Sequence, residues 1–467
     1  MKKHLLVATA LLPALSQAAP VATPPGPLMT LGPASTPQTG LSVLYNPAAG
    51  EAVIQQNDDY RWGYLGSTGV SVEFGDVENF SDDVDQLIDD LSREDLNEIE
   101  ALAIATNYDV NLRQSLAADG YIRFDAQFVA PLAPLLVRSN LLGGVMSIDL
   151  VGGVSGKGLF LDDDITPTIG DIPITAEMIA NLTPAQALAL ANETADLETE
   201  TALFIKSVQY TTLGLGYSHE LDNGLLDTFN QHVEGRLLTG LRLNLYNLKL
   251  AQQVIGLANI EEDDNVSDVI SDDYNDNQVS STAMGVDLGL IWEADHYQIG
   301  LTFKNINEPE FDFGELGVNC ASKSTIIAIA NCNTANFHIN NTENPGRVIQ
   351  NDTYVMTQQS TVDMALSSEN KRWRLAAYYD LQSTEDAIGD EYQWMTASAA
   401  YVSSSLFGAR LGFSENQVGT ELTMANAGLT FFGVVNLDVR YSLDTTEVDG
   451  STVPRSVAVN LGIESSF

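Results

Sequence analysis

The stretch Met284-Gly285-Val286-Asp287-Leu288-Gly289-Leu290-Ile291-Trp292-Glu293, followed after a short turn by His296-Tyr297-Gln298-Ile299-Gly300-Leu301-Thr302-Phe303-Lys304, decides the fold. Met284, Val286, Leu288, Leu290 and Trp292 share one parity, with Gly285, Asp287, Gly289 and Glu293 between them. Across the turn at Glu293–Asp295, Tyr297, Ile299, Leu301 and Phe303 alternate with His296, Gln298, Thr302 and Lys304. Successive side chains of a strand point to opposite faces, so this is a hairpin with one apolar and one polar face. The charged residues sit in mid-strand, where a two-sheet core would exclude them and a wet lumen would accept them.

The pattern recurs along the chain. Leu237, Leu241, Leu243 and Leu245 would face lipid while Arg236, Arg242 and Asn244 face inward. Trp373, Leu375, Ala377, Tyr379 and Leu381 alternate with Arg372, Arg374, Tyr378 and Asp380. Val435, Leu437, Val439 and Tyr441 alternate with Asn436, Asp438 and Arg440. At the end of the chain, Val457, Val459, Leu461, Ile463 and Phe467 share a parity, and a last strand ending in phenylalanine is similar to the assembly signal of outer-membrane barrels. A soluble β-sandwich also alternates, but repeated segments behind an export signal favour an all-β, transmembrane antiparallel barrel in the outer membrane of a Gram-negative bacterium. About fourteen strands are predicted, near 61–75, 121–130, 134–151, 201–218, 232–250, 279–293, 295–306, 352–367, 370–382, 391–403, 405–414, 420–432, 433–443 and 453–467.

Export is read from Met1–Ala18, where Lys2 and Lys3 precede the apolar run Leu5–Leu15 and the small-residue site Ser16-Gln17-Ala18. No later stretch approaches the ~20 apolar residues of a transmembrane helix. Residues 19–60 read as a Pro-, Thr- and Gly-rich periplasmic leader followed by a hatch, and 61–467 as the barrel. Long loops are expected at 152–200 and 308–350.

Residues 81–118 switch to helical spacing. Ser81 is placed to cap a helix with Asp82 and Asp83 in its first turn and Val84, Leu87, Ile88 and Leu91 on one face. Ser92 with Asp95 resembles a second start, leading to Leu96, Ile99 and Leu102. This helical insert could plug the lumen, bind a partner or cover the barrel end. A third helix is expected from Thr183-Pro184-Ala185-Gln186 to about Leu197.

Composition excludes more than it assigns. With 63 acidic against 21 basic residues the formal charge is −42, which excludes a nucleic-acid partner. Cys320 and Cys332 lie in the 308–350 loop, and in an oxidising compartment a disulfide is the natural reading, contributing roughly 3 kcal/mol. The acidic runs Asp162–Asp164, Glu261–Asp264 and Asp272-Asp273 with Asp276 lack EF-hand spacing and read as solvated loops, with divalent-cation bridging as the alternative. No metal or cofactor is expected. His219–Glu220 and His232–Glu234 are the nearest approach to an acid–base unit, and adjacent strand residues diverge, so no enzymatic activity is expected.

Several of these segments together resemble the conjugal-transfer TraF-type outer-membrane protein family. They are Tyr45-Asn46-Pro47-Ala48, the acidic helical segment after Phe80, Gly235–Leu250, Asp287–Leu290, Ile299–Ile306, Glu308-Pro309-Glu310-Phe311, Trp373–Leu381 and Arg410–Phe413. The architecture is also similar to the wider FadL-type long-chain fatty-acid transporter superfamily. That resemblance implies fourteen strands and an N-terminal hatch whose turn is Asn46-Pro47-Ala48, with residues 28–50 inside the barrel. The family resemblance implies a non-enzymatic structural or accessory envelope component. The superfamily resemblance implies a channel for hydrophobic compounds such as long-chain fatty acids. A surface hydrolase is the third class. Expected partners are outer-membrane lipid, the barrel-assembly machinery and other envelope or transfer proteins; for a channel, a hydrophobic small molecule is added.

Overall fold

The computed structural model describes the chain except residues 1–23, 33–38, 55–58, 76–79, 94, 114–119, 171, 176, 179–180, 182, 184–193, 222–234, 261–273, 275–276, 342–345, 405–406, 449–450 and 467. Among the described residues, fourteen antiparallel strands close into one barrel. They are β1 (Tyr60–Phe74), β2 (Tyr121–Val129, resumed at Leu135–Ser139), β3 (Gly144–Leu161), β4 (Ala202–Glu220), β5 (Arg236–Gly256), β6 (Val279–Glu293) and β7 (Tyr297–Lys304). The circuit continues through β8 (Gln359–Ser367), β9 (Trp373–Asp380), β10 (Trp394–Ser404), β11 (Phe407–Asn416), β12 (Thr423–Phe431), β13 (Val435–Ser442) and β14 (Ser456–Ser466). Pairing of β1 with β14, running from Arg61↔Ser466 to Glu73↔Ser456, seals the ring. Closure leaves no edge whose amides would face lipid unpaired.

The parity read from the sequence is the parity of the wall. Leu241, Leu243 and Leu245 are 42%, 41% and 45% exposed, whereas Arg242 and Asn244 between them are 6% and 1% exposed. Leu375 is exposed and Arg374 buried; Leu437 is exposed and Asp438 buried. Aromatic residues crowd the rim where β1 begins and β14 ends. There the tilted rings of Trp373 and Tyr401 lie 4.7 Å apart and Phe407 meets Phe431 at 6.3 Å, positions suited to a membrane interface.

Two strands depart from the sequence reading. The segment predicted as one strand over 134–151 is the short Leu135–Ser139, a turn, and then β3 reaching Leu161, so the loop expected from 152 begins ten residues later. Gly152, Gly153, Gly156 and Gly158 blur the alternation there. The predicted 352–367 strand begins at Gln359, because Thr353–Val355 pairs with Glu310–Asp312 above the barrel instead. β2 is interrupted at Ala130–Pro134, where Pro131 and Pro134 cannot donate to the ladder. Opposite the interruption, β1 shifts register between Gly63 and Leu65 and again before Thr68.

The opposite end, where β1 finishes and β14 starts, carries a cap. Helix α3 (Phe80–Leu91) and helix α4 (Glu98–Asn107) occupy the insert. The start of α4 is set by Asn97, which accepts from the Ile99 and Glu100 amides while Glu100 reaches back to Asn97 N. Ser92 plays no such part; its hydroxyl donates to Asp89 O. Val84, Leu87 and Ile88 pack with Leu96, Ala101, Tyr108, Phe160, Ile205 and Ile255, so the insert shares a core with the tops of β3, β4 and β5. The third predicted helix falls largely outside the described residues, and its expected end is a strand, Asp196–Glu198, paired with Thr166–Thr168.

Helix α5 (Ile326–Asn340) occupies the 308–350 loop, capped by Thr325. Cys320 and Cys332 are joined, tying the turn before α5 to its second turn. The Gly256 amide donates to Asn331 Oδ1 and fastens α5 to the top of β5.

Candidate functional site

The described part of the N-terminal segment, from Pro24 to Ile54, lies inside the barrel against the inner wall. It comprises α1 (Leu28–Leu31), a 3₁₀ turn (Gly40–Leu44) and α2 (Ala49–Val53). Nearly all of it is buried. Leu28, Leu41 and Leu44 pack on Val129 and Ala133 beside the break in β2. Val43, Ala48, Ala49 and Val53 pack on Leu136, Val145, Leu238 and Ile291.

Polar latches hold this hatch to the wall. Thr39 Oγ1 and the Gly40 amide both donate to Glu464, which also pairs with Arg61. Thr30 Oγ1 donates to Asp438 Oδ1 at 2.6 Å, and Arg410 pairs with the same carboxylate at 2.9 Å. Glu51 pairs with Arg138 at 2.7 Å. Several charges on the lumen face are therefore partnered, some of them by the hatch.

Asn46, Pro47 and Ala48 form the turn entering α2. The Ala48 amide donates to Asn46 Oδ1 at 3.0 Å, and Asn46 Nδ2 donates to Leu290 O at 3.3 Å. The turn lies on Gly240 of β5 and Gly289 of β6. A Cβ at Gly240 would overlap Pro47 and the Ala48 amide, and one at Gly289 would overlap Asn46 Oδ1. The two glycines let the backbone of the turn lie close against the wall.

Between the hatch and the opposite wall lies a cavity of about 170 Å³. Tyr45, Tyr246, Tyr378, Tyr392 and Trp394 supply aromatic surface, and Met29 and Met356 add apolar surface. Arg242, Lys304, Arg440, Asp287 and Asp380 supply charge. Arg242 is committed to Asp149 at 2.6 Å and also donates to Leu44 O of the hatch. Asp287 accepts from Asn244 Nδ2 at 2.7 Å and the Asn305 amide at 2.9 Å. Asp380 accepts from the Trp394 amide at 2.7 Å, from Gln359 Nε2 at 3.1 Å and from the Tyr378 hydroxyl. The Lys304 ammonium sits 3.8 Å from the centre of the Tyr45 ring, and the Arg440 guanidinium 4.1 Å from that of Trp394. Burial pushes the Tyr45 phenol well above its ordinary range, so it remains a neutral hydroxyl.

Above the cavity, the loop between β9 and β10 folds inward. Arg123 of β2 is 2% exposed and meets Asp125 at 2.9 Å, Asp386 at 2.9 Å, Asp390 and the Tyr392 hydroxyl. Lys157 also pairs with Asp390. Ala387 and Ile388 of this loop pack with Tyr210, Tyr246, Phe311 and Tyr354, forming a lid over the lumen.

The remaining candidates are dispersed. His219 Nδ1 donates to Gly143 O on the rim where β1 begins, His296 is exposed beside a turn on the same rim, and His338 of α5 donates to Glu200 O at 2.6 Å. His232, Glu234, the acidic runs at 261–264 and 272–276, Phe467 and the signal-peptide residues lie outside the described residues. Asp162 and Asp164 are paired with Arg113. Among the described residues, no group of three or more His, Cys, Asp or Glu side chains converges as a metal site.

The family of the F plasmid transfer operon protein TraF matches residues 43–380. The chain belongs to this family. No curated protein sequence matches it. Among solved structures, this TraF-family chain is similar to the Pseudomonas putida toluene transporter TodX at 10% identity, over 91% of this chain and 94% of that one, with a TM-score of 0.43. It is similar to the Ralstonia pickettii toluene transporter TbuX at 11% identity, over 97% and 99% of the two chains, with a TM-score of 0.42. A FadL homologue of Pseudomonas aeruginosa shares 8% identity over 97% and 99%, with a TM-score of 0.34.

The sequence reading placed Lys304, Tyr378, Asp380 and Arg440 on the lumen parity but did not gather them into a site. Nor did it single out the hatch seat. The signal for the seat was present: Leu237-Leu238 and Leu290-Ile291-Trp292 interrupt the alternation, and Leu238 and Ile291 are the inward apolar residues under the hatch.

Proposed function

We propose that the chain is a plugged, non-enzymatic channel of the Gram-negative outer membrane, admitting small apolar or amphipathic solutes into the cavity beside its hatch. The observation that carries this reading is the aromatic-lined cavity of about 170 Å³ between hatch and wall. An engineered apolar cavity of about 150 Å³ accepts benzene, so a ring-sized solute fits. A long acyl chain does not fit in the cavity alone. Export through Met1–Ala18, insertion into lipid by the barrel-assembly machinery reading the strand that ends in Phe467, and a periplasmic hatch complete the reading. The −42 charge keeps nucleic acid from being the cargo.

A second reading, an accessory envelope component of a transfer apparatus, draws on the family's operon. It is favoured by the cap, where Ile99 and Val110 are 66% and 68% exposed on the insert and available to an envelope partner. Native mass spectrometry with solute extraction, on protein taken from outer membranes in a readily exchanged detergent, separates the two. A bound ring-sized solute supports the channel. An empty barrel that co-purifies with envelope proteins replaces it with the accessory role.

A further inference from the structure

The cavity holds two cations, Arg440 and Lys304, with no carboxylate at ion-pairing distance among the described residues. Arg440 is 5% exposed, has no carboxylate at ion-pairing distance among the described residues, and leaves its buried Nε without a hydrogen-bond acceptor. Its guanidinium lies over the Trp394 ring. Lys304 is likewise without an ion pair among the described residues and rests on Tyr45 of the hatch. The two acids of the same cavity reach Lys304 only as charges beyond ion-pairing distance and take their hydrogen bonds elsewhere. Asp380 takes its donors from Trp394, Gln359 and Tyr378, and Asp287 from Asn244 and Asn305 beside Arg242.

In a chain with three acidic residues for every basic one, two such cations facing one enclosed space are a chemical statement. A guanidinium stays protonated at any relevant pH and offers a planar fork of donors that matches a carboxylate. The aromatic rings beside the two cations provide surface on which a second ring can stack. The volume admits one ring with a short substituent and no long tail.

We infer that the cavity selects an aromatic monocarboxylate of benzoate size, its ring against Trp394 and Tyr45 and its carboxylate between Arg440 and Lys304. The inference rests on the channel reading and deepens it. It separates this lumen from one for neutral hydrocarbons, which would leave both cations desolvated and unpaired. It also separates it from one for long-chain acids, whose tails would extend beyond the cavity. Because Tyr45 belongs to the hatch, a carboxylate that draws Lys304 away from the Tyr45 ring removes one contact holding the hatch to the wall.

The test is isothermal titration of the full chain in a large-headgroup detergent at low salt with benzoate, benzyl alcohol, toluene and laurate. Arg440→Gln and Lys304→Gln are compared, with barrel folding checked by heat-modifiable electrophoretic mobility. Benzoate should bind at least tenfold more tightly than benzyl alcohol, its neutral counterpart. Arg440→Gln should lose at least tenfold for benzoate while leaving benzyl alcohol unchanged. Lys304→Gln gives the same comparison if the arginine variant does not fold. Equal binding of benzoate and benzyl alcohol, tighter binding of laurate, or equal loss for both ring solutes in the variants overturns the inference. Toluene binding alone would overturn it and leave the channel standing, whereas no binding of any of the four would remove both.

Discussion

The outward and inward faces of β5 obey different rules. Outward, Leu241, Leu243 and Leu245 need only be apolar, because lipid asks nothing else of a side chain. Inward, Arg242 and Asn244 need particular partners: Asp149 from β3, Asp287 from β6 and the Leu44 carbonyl of the hatch. One face is satisfied by composition and the other by geometry. The outward face therefore tolerates any apolar exchange, whereas the inward face fails when one member of a pair is removed.

The sharpest way to break that contrast is on the inward side. Replacing Arg123 with Met leaves Asp125 and Asp386 buried without their cation and Asp390 with Lys157 alone. Removing one partner of a buried ion pair costs about 3–5 kcal/mol. The loop over the lumen should come away from the wall, read as new protease cleavage between 381 and 393 and a lower urea midpoint. An unchanged midpoint would mean that the network contributes no stability.

On the outward side the expected loss is smaller. Leu243→Arg places a charge on the lipid face and should cost about 2–4 kcal/mol if the residue lies near the membrane midplane, less toward an interface. Urea titration of the barrel refolded into vesicles measures it. Leu243→Val should be close to neutral. If Leu243→Arg is tolerated as well as Leu243→Val, the outward assignment of this parity is wrong.

The same contrast explains how much was legible in the sequence. Strand positions and facing followed from alternation, since period two is local and lipid enforces it on every strand. The hatch turn was recognisable because Asn46-Pro47-Ala48 is a local turn with its own chemistry. What could not be read were pairings between distant residues, such as Thr30 with Asp438 or Arg123 with Asp390, because no local pattern encodes a partner hundreds of residues away. β3 was misplaced for a related reason: its glycines contribute no facing signal, and the alternation that fixed its neighbours faded there.

The disulfide tests a region belonging to neither face. Cys320 and Cys332 clamp α5 above the barrel, where Leu316, Ala335 and Val348 pack on Phe204 and Val254. Changing both cysteines to Ser should cost the 308–350 region up to about 3 kcal/mol through the freed loop entropy. Hydrogen exchange across α5 should rise while that of β8–β14 stays constant. Equal loosening of both would show the cap and barrel to be one cooperative unit.

The smallest effect is a pH dependence confined to the lid. Burial pushes the Asp386 carboxyl up to about 6, against an ordinary 3.8, and Arg123 only partly offsets it. Asp390 is as deeply placed, yet Arg123 and Lys157 hold it below the ordinary range. A carboxyl with a raised folded pKa binds more protons folded than unfolded, so its contribution weakens as pH rises from about 4 through about 6 and is level above that. Asp390 has the opposite sign, but its contribution changes only below the ordinary carboxylate range, outside this window. Lid amides such as Ile388 and Asp390, which donate to Asp386 Oδ1, should therefore be better protected at pH 5 than at pH 7 after correction for intrinsic exchange. In Asp386→Asn the difference should vanish. If the variant keeps the wild-type slope, another group in the lid is titrating and the assignment to Asp386 fails.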